Sequence, residues 1–306
     1  MEIKSSKKIS VFKGCLILMR PPNLPTAAAD IIAGAAIVGV FASGWSLSQE
    51  LMLDLFLLIF ASVCLYAGGV VLNDVFDLKI DKKERPERPI PSGIVSLKAA
   101  SLLGSSLLAL GILLSFLCNF YAGLVSIALA GAILLYDSLA KHHVFFGPLT
   151  MGSCRGLNLL LGMCILGFPI MTTWIYIIIP IIYIFAVTLI SRGEVHGNNK
   201  RNLVFSALLY LFVIFFISLS NLTIVYAPIQ VLPFLLLFGI TIFTPLVKAY
   251  QINSPNNIKK AVKAGVLSLV IMNAAIATSV SQWWVGVIIL LLLPLSLFLS
   301  KRFSVT

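Results

Sequence analysis

Apolar residues fall in long blocks along this chain, and polar residues are confined to the stretches between them. Ten blocks can be read: Asn23–Phe41, Leu51–Leu72, Ala99–Phe116, Tyr121–Tyr136, Phe146–Gly167, Trp174–Ser191, Leu203–Ser220, Ile229–Val247, Ala261–Val280 and Trp283–Ser300. Most are close to the roughly 20 residues that a helix needs to cross the hydrocarbon of a bilayer. A lipid-exposed segment must satisfy its own N–H and C=O groups, so each block is expected to be helical. The alternation of a membrane barrel is not present. The pattern predicts an all-α, polytopic membrane protein of nine to ten transmembrane helices, with residues 1–306 as one domain and 1–22 as a cytoplasmic N-terminal segment. Within that segment Lys7 to Met19 reads as a short basic amphipathic helix on the membrane surface. No cleavable signal is expected, because "CLILM" is too short and runs into "RPPN".

Composition agrees: 59% of the residues are hydrophobic and 11% are charged, and the mean hydropathy is +1.05. Soluble domains do not have this balance. The net charge of +11 would suit a nucleic-acid binder, but its distribution does not. Lys and Arg occupy the N-terminal tail, the segments after the second, fourth, sixth and eighth blocks, and the C-terminus. The intervening loops, such as Ala42–Glu50 and Ser220–Pro228, contain none. Arg155 alone lies deep in a block. This is the positive-inside pattern, with both termini in the cytoplasm and attraction to anionic membrane lipid. It argues against nucleic acid as a partner. The five cysteines show no metal-ligand spacing and read as structural thiols rather than disulfides.

The longest polar stretch is "NDVFDLKIDKKERPERPIPSG", Asn73 to Gly93, which holds five of the eleven acids and five of the twenty-two bases. Asn73, Asp77 and Asp81 are spaced i, i+4, i+8 and share a face if the second helix continues past Leu72. Asp74 joins them from the adjacent edge. Carboxylates this close at a membrane edge repel, and something positive must offset them. Oxygen ligands of this kind suit Mg²⁺ with substrate phosphates. Arg85 and Arg88, in the proline-restricted "ERPERP", suit bidentate contact with phosphate oxygens. The segment therefore reads as a Mg²⁺–diphosphate site; the bland alternative is a solvated loop that serves topology.

Three further polar stretches, "DSLAKHHVF", "SRGEVHGNNKR" and "QINSPNNIKK", are predicted on the same, cytoplasmic side. Asp137 either caps polar groups beside Tyr136 or lies near a substrate. His142 and His143 are adjacent, point apart and make a poor ligand pair; His196 reads as a solvated loop residue. A weak internal echo pairs "RPPNL" (Arg20–Leu24) with "RGLNL" (Arg155–Leu159), and the acids after the second block with Glu194 after the sixth. Two four-helix halves would place each pair in equivalent positions.

"NDVFDLKID" resembles the N-D-x-x-D-x-x-x-D signature of the UbiA superfamily of intramembrane prenyltransferases. "RPPNLPTAAADIIAG" is similar to that family's first helix, "RPERPIPSG" to the segment after its aspartate motif, and "LYDSLAKHH…GPLTMGSCRGLNLLLG" to its fourth-to-fifth helix region. Within the superfamily the chain looks most like the EboC-type members. The resemblance implies helices around a central cavity open to lipid, and a prenyl diphosphate bound through Mg²⁺ at two acidic motifs. Asn73, Asp74, Asp77 and Asp81 would form the first metal site, with Arg85 and Arg88 gripping the diphosphate. Tyr136, Lys141 and Arg155 match polar positions near the cavity mouth, and Arg20 with Asn23 the first-helix polar pair. The second motif, usually D-x-x-x-D, is "EVHGN" here: Glu194 takes the first position and Asn198 the second. The loss of one charge implies a weaker second metal, a larger share for Lys200 or Arg201 in holding diphosphate, or binding without transfer.

The catalytic acids expected are thus Asp74, Asp77, Asp81 and Glu194. The expected reaction is transfer of the prenyl group to an unidentified small acceptor, through ionisation of the allylic C–O bond in a water-poor pocket. The competing reading is a non-catalytic prenyl-lipid-binding or transport protein. Against transport, most acids lie at the interface, and only Arg155 and Asp30 are candidates for depth.

Overall fold

The computed structural model describes residues 10–42, 44, 47–169, 171–195, 197–222 and 228–303. These form helices α1 (Val11–Leu18), α2 (Leu24–Ile37), α3 (Gln49–Phe76), α4 (Leu78–Glu84), α5 (Leu97–Cys118), α6 (Phe120–Ser138), α7 (Phe146–Met163), α8 (Ile175–Ser191), α9 (Lys200–Leu222), α10 (Leu232–Gln251), α11 (Pro255–Val280), α12 (Trp283–Leu290) and α13 (Leu292–Arg302). Polar residues at the block edges set the starts. Ser48, Ser96, Asn119 and Ser254 each accept a hydrogen bond from a backbone N–H in the first turn of α3, α5, α6 and α11.

Among the described residues, nine helical segments are long and apolar enough to cross a membrane. The remaining block, Asn23–Phe41, holds the short α2. At 14 residues it rises only about 21 Å, less than the hydrocarbon thickness. Thirteen of those residues are buried, between α3, α7 and α11, so the helix is surrounded by protein and need not match the bilayer. Its direction follows from its contacts. Ser62 of α3 donates to Ala27, while Arg20, just before α2, reaches Asp74 at the far end of α3; the two helices are antiparallel. Arg155 of α7 bonds Thr26 and Asp30, and Gly162, further along, packs on Ile31; these two helices are parallel. Among the described residues, α2 thus adds a short, protein-enclosed tenth pass beside the nine long ones. The last is bent at Leu291, between α12 and α13, where Pro294 has no N–H to offer the preceding turn.

Gly34 and Gly162 let α2 and α7 touch. A Cβ on either glycine would collide with backbone atoms of the opposite helix. Small residues at such a contact allow the close packing that holds membrane helices together. A second, small core lies outside the bundle: Leu18, Val71, Ile90, Val95 and Ala100 join α1 and the 85–96 loop to α3 and α5. So α1 is not simply a surface helix; its buried Gly14 and Leu18 face that loop, while Lys7 lies outside the described residues.

Of the internal echo, the acids of the first motif lie at the end of α3, and Glu194 follows α8. The arginines are not equivalent, since Arg20 precedes α2 whereas Arg155 lies midway along α7.

Gly162→Val is expected to separate α2 from α7 and to cost about 1–3 kcal/mol of stability, as overpacking does. Thermal unfolding of the purified protein in detergent measures this; an unchanged Tm would contradict the close contact.

Candidate active site

The first motif straddles the joint between α3 and α4. Asp77 closes α3, yet the helical hydrogen bonds run on: Asp77 N–H to Asn73 C=O, Asp81 to Asp77, and Arg85 to Asp81, each at 2.9 Å. The expected continuation past Leu72 is present. The sharing of faces differs from expectation. Residues seven apart align more closely on a 3.6-residue turn than residues eight apart, and it is Asp74 and Asp81 that pair. Arg88 Nη1 bridges them, at 3.2 Å from Asp74 and 2.7 Å from Asp81. Arg20 Nη2 adds a second contact to Asp74 at 2.7 Å. Asn73 and Asp77 face the end of α6 instead. Asn73 Nδ2 donates to Asp137 Oδ1 at 2.7 Å, and Lys141 Nζ meets Asp77 Oδ1 at 2.5 Å.

Each cation is aimed by its local backbone. Arg20 adopts a left-handed conformation (φ 49°) before Pro21, where the ordinary helical region is disfavoured. That turn directs it at Asp74. Burial opposes the Arg20 charge, but Asp74, with Tyr66 and Asp81 further off, keeps it more firmly protonated than usual. Arg88 is held by the loop whose Ile90 and Val95 sit in the small core. Lys141 lies in a short 3₁₀ turn after α6. The next residues are ordered by His143, whose Nδ1 accepts from the N–H groups of Phe145 and Phe146 at the start of α7.

Beside these groups is a cavity of about 150 Å³ between α3, α6 and α7. Arg20, Asn73, Tyr136 and Asp137 line it together with apolar Leu129, Ile133 and Met151. Tyr66, Arg155 and Asn158 also belong to its wall. Arg155, expected near the mouth, is instead tied into the bundle. Its guanidinium bonds Asp30 Oδ2 at 2.8 Å and Thr26 Oγ1 at 2.7 Å, and stacks on Tyr66 with 5.0 Å to the ring centre. Asp30 also accepts from Asn158 at 2.8 Å and from Asn273 of α11 at 2.6 Å. The buried charge is therefore fully hydrogen-bonded, as a low-dielectric interior requires.

The second motif stands apart from this cavity. Glu194 is half-buried; burial pushes its carboxyl up, and Lys259 and Arg85 pull it back. Arg85 is exposed, and it is Arg88 that pairs with Asp74 and Asp81. Asn198 is exposed in a left-handed turn (φ 53°), Lys200 lies over the ring of Tyr250, and His196 is outside the described residues. Asn23 is not in the cavity wall; its carbonyl accepts from Thr26. All five cysteines are unpaired.

The sequence reading missed Asp137's contact with Asn73, and the Asp30 network with Thr26, Asn158 and Asn273. A lone acid inside an apolar block was the available signal for Asp30, and an acid at a block's end the signal for Asp137.

Among the described residues, no three His, Cys, Asp or Glu side chains converge into a ready metal cage. Mg²⁺ seldom needs one: it keeps waters and takes one or two carboxylates plus substrate phosphates. The donors here are hard oxygens, and one buried oxygen, Asp137 Oδ2, has no hydrogen-bond partner. The residues fit such an ion.

The profile of the UbiA prenyltransferase family matches residues 31–264. The chain belongs to the UbiA prenyltransferase family. Among similar members is the digeranylgeranylglyceryl phosphate synthase of Saccharolobus solfataricus, 34% identical over 176 residues, which are 56% of this chain and 60% of the relative. That of Methanococcoides burtonii is 39% identical over 158 residues, 51% of this chain and 56% of the relative. The chain thus matches less than two thirds of the length of these relatives. A UbiA homologue from Aeropyrum pernix K1 has the same fold, with a TM-score of 0.67 at 17% identity over 83% of this chain and 97% of that one. A UbiA homologue from Archaeoglobus fulgidus, solved bound to GPP and Mg²⁺, superposes with a TM-score of 0.61 at 16% identity, covering 86% of this chain and 99% of that one. The protein is accordingly an all-α integral membrane protein of the UbiA fold.

Replacing one partner of the Asp30–Arg155 pair strands a buried charge and is expected to cost about 3–5 kcal/mol. Asp30→Asn and Arg155→Met should each lower the unfolding midpoint in detergent, and the double variant should cost clearly less than the sum. Strict additivity would show that the pair is not coupled.

Proposed function

We propose that this protein transfers the prenyl group of a prenyl diphosphate, with Mg²⁺, to a small acceptor at the cytoplasmic face of the membrane. The observation that carries this reading is the alternation of Asp74, Asp77, Asp81 and Asp137 with Arg20, Arg88 and Lys141 beside an apolar-walled cavity. A site meant only to be stable would gain little from so many desolvated charges. A site that must hold both a cation and an anion has use for both signs.

Asn73, Asp74, Asp77 and Asp81 would hold Mg²⁺ on the first motif, with Glu194 and Asn198 contributing from the second. When bound, the ion supplies positive charge that stabilises the departing diphosphate. Arg88, Arg20 and Lys141 bind the phosphate oxygens by exchanging their carboxylate partners for them. Arg85 and Lys200 guide the anion from the outer side. Leu129, Ile133 and Met151 take the first part of the prenyl tail and exclude water, so that a reactive allylic centre meets the acceptor rather than solvent. The positive-inside charge pattern supports the cytoplasmic orientation. The names of the curated relatives support a glycerol phosphate as the acceptor class.

A pyrophosphate-release assay tests the proposal, with protein in lipid nanodiscs, Mg²⁺, a panel of prenyl diphosphates and a prenylglyceryl phosphate as acceptor. Release is expected in the native protein. It should fall by about 10²-fold or more in Asp77→Ala and in Asp81→Ala, the scale for losing one electrostatic contact to the transition state. Undiminished release in folded variants would sink these assignments. Mg²⁺-dependent donor binding without release, for this or any extracted acceptor, would favour the non-catalytic binder that the exposed Asn198 allows.

A further inference from the structure

Asp137 is the penultimate residue of α6 and is 3% exposed. It lines the cavity beside Asn73, Arg20 and Tyr136. Its Oδ1 is held by Asn73 Nδ2 at 2.7 Å; its Oδ2 is sealed from solvent and unpartnered. The other three carboxylates of the group each have a cation: Asp74 has Arg20, Asp81 has Arg88, and Asp77 has Lys141. Among the described residues Asp137 has no such ion pair. A buried carboxylate oxygen left without a donor is unfavourable and needs a physical reason.

The second motif bears on that reason. Its last position is Asn198 instead of an acid, and that residue is exposed, away from the cavity wall. One negative charge is missing on that side, and one unpaired carboxylate sits on the α6 side. Asn73 has committed its Nδ2 to Asp137, so its own carbonyl oxygen is available as a ligand. Asp77 is tied to the same side by Lys141, which follows α6 in the next short turn. Two carboxylates and an amide oxygen are the protein share of a typical Mg²⁺ site that is completed by water and phosphate.

We propose that Asp137 supplies the carboxylate that the second motif lacks, so that the divalent cation is held between α3 and α6 by Asn73, Asp77 and Asp137. The inference rests on the prenyl diphosphate reading. It also assigns a second task to Lys141, which releases Asp77 to the cation and turns to the diphosphate.

The test is direct binding of Mn²⁺, as a spectroscopic stand-in for Mg²⁺, followed by electron paramagnetic resonance on the full-length protein in nanodiscs, with and without inorganic pyrophosphate. Asp137→Asn keeps the side-chain size and can still accept from Asn73. It is expected to weaken Mn²⁺ binding at least tenfold in the presence of pyrophosphate, with an unchanged unfolding midpoint in metal-free buffer. Asp137→Glu, which keeps the charge, should recover most of the affinity. If Asp137→Asn does not fold, Asp137→Ser provides the neutral variant. Mn²⁺ affinity in a neutral variant equal to the native value would overturn the role of Asp137 while leaving the diphosphate site in place. A native protein that binds no Mn²⁺ with pyrophosphate would overturn both.

Discussion

A carboxylate removed from water must meet a positive charge or a full set of donors, and the arrangement of this bundle follows from where that requirement is met. In the middle of the bundle it is met once and completely. Asp30 receives Arg155, Asn158 and Asn273, and in doing so fastens α2 to α7 and α11. At the bundle's end it is met by exchangeable partners: Arg20, Arg88 and Lys141, each a long side chain delivered by a turn rather than by a regular helix. The first arrangement gives a fixed frame. The second gives a charged rim whose ion pairs the proposed cation and diphosphate would exchange.

The two parts were not equally legible in the sequence. The helices were, because lipid leaves the backbone no other choice, and the NDVFDLKID stretch was, because its spacing follows the helical period. What the period could not reveal was which neighbour each acid would choose. Asp74 and Asp81 meet through Arg88 only because the 85–96 loop folds back and buries Ile90 and Val95. Arg20 reaches Asp74 only through a left-handed turn before a proline. The depth of Arg155 was legible, but its partner was not, since a basic residue in an apolar block does not say which acid, 125 residues earlier, it will meet. Ten apolar blocks were counted in the sequence, but the shortness of the helix in the first made sense only once its burial was known.

Membership of the UbiA family accounts for the frame and for the first motif. The departures are concentrated around the second. With Asn198 exposed and Glu194 facing Lys259 and Arg85, the α8 end of the molecule carries more base than acid around its remaining carboxylate. The balance of negative charge thereby moves toward α3 and α6.

The short α2 has a consequence for how the molecule is made. It is synthesised before α3, α7 and α11, the helices that enclose it, and it carries an acid in its middle. A central aspartate costs a lone helix about 2.5–3.5 kcal/mol on entering the membrane. Its partners belong to helices synthesised much later, and the Asn273 contact spans 243 residues. Until α7 and α11 exist, Asp30 lacks these donors, and 14 residues are too few to hold α2 across the bilayer alone. α2 can thus be fixed in place only once α11 has been made, and the bundle closes around it from later parts of the chain.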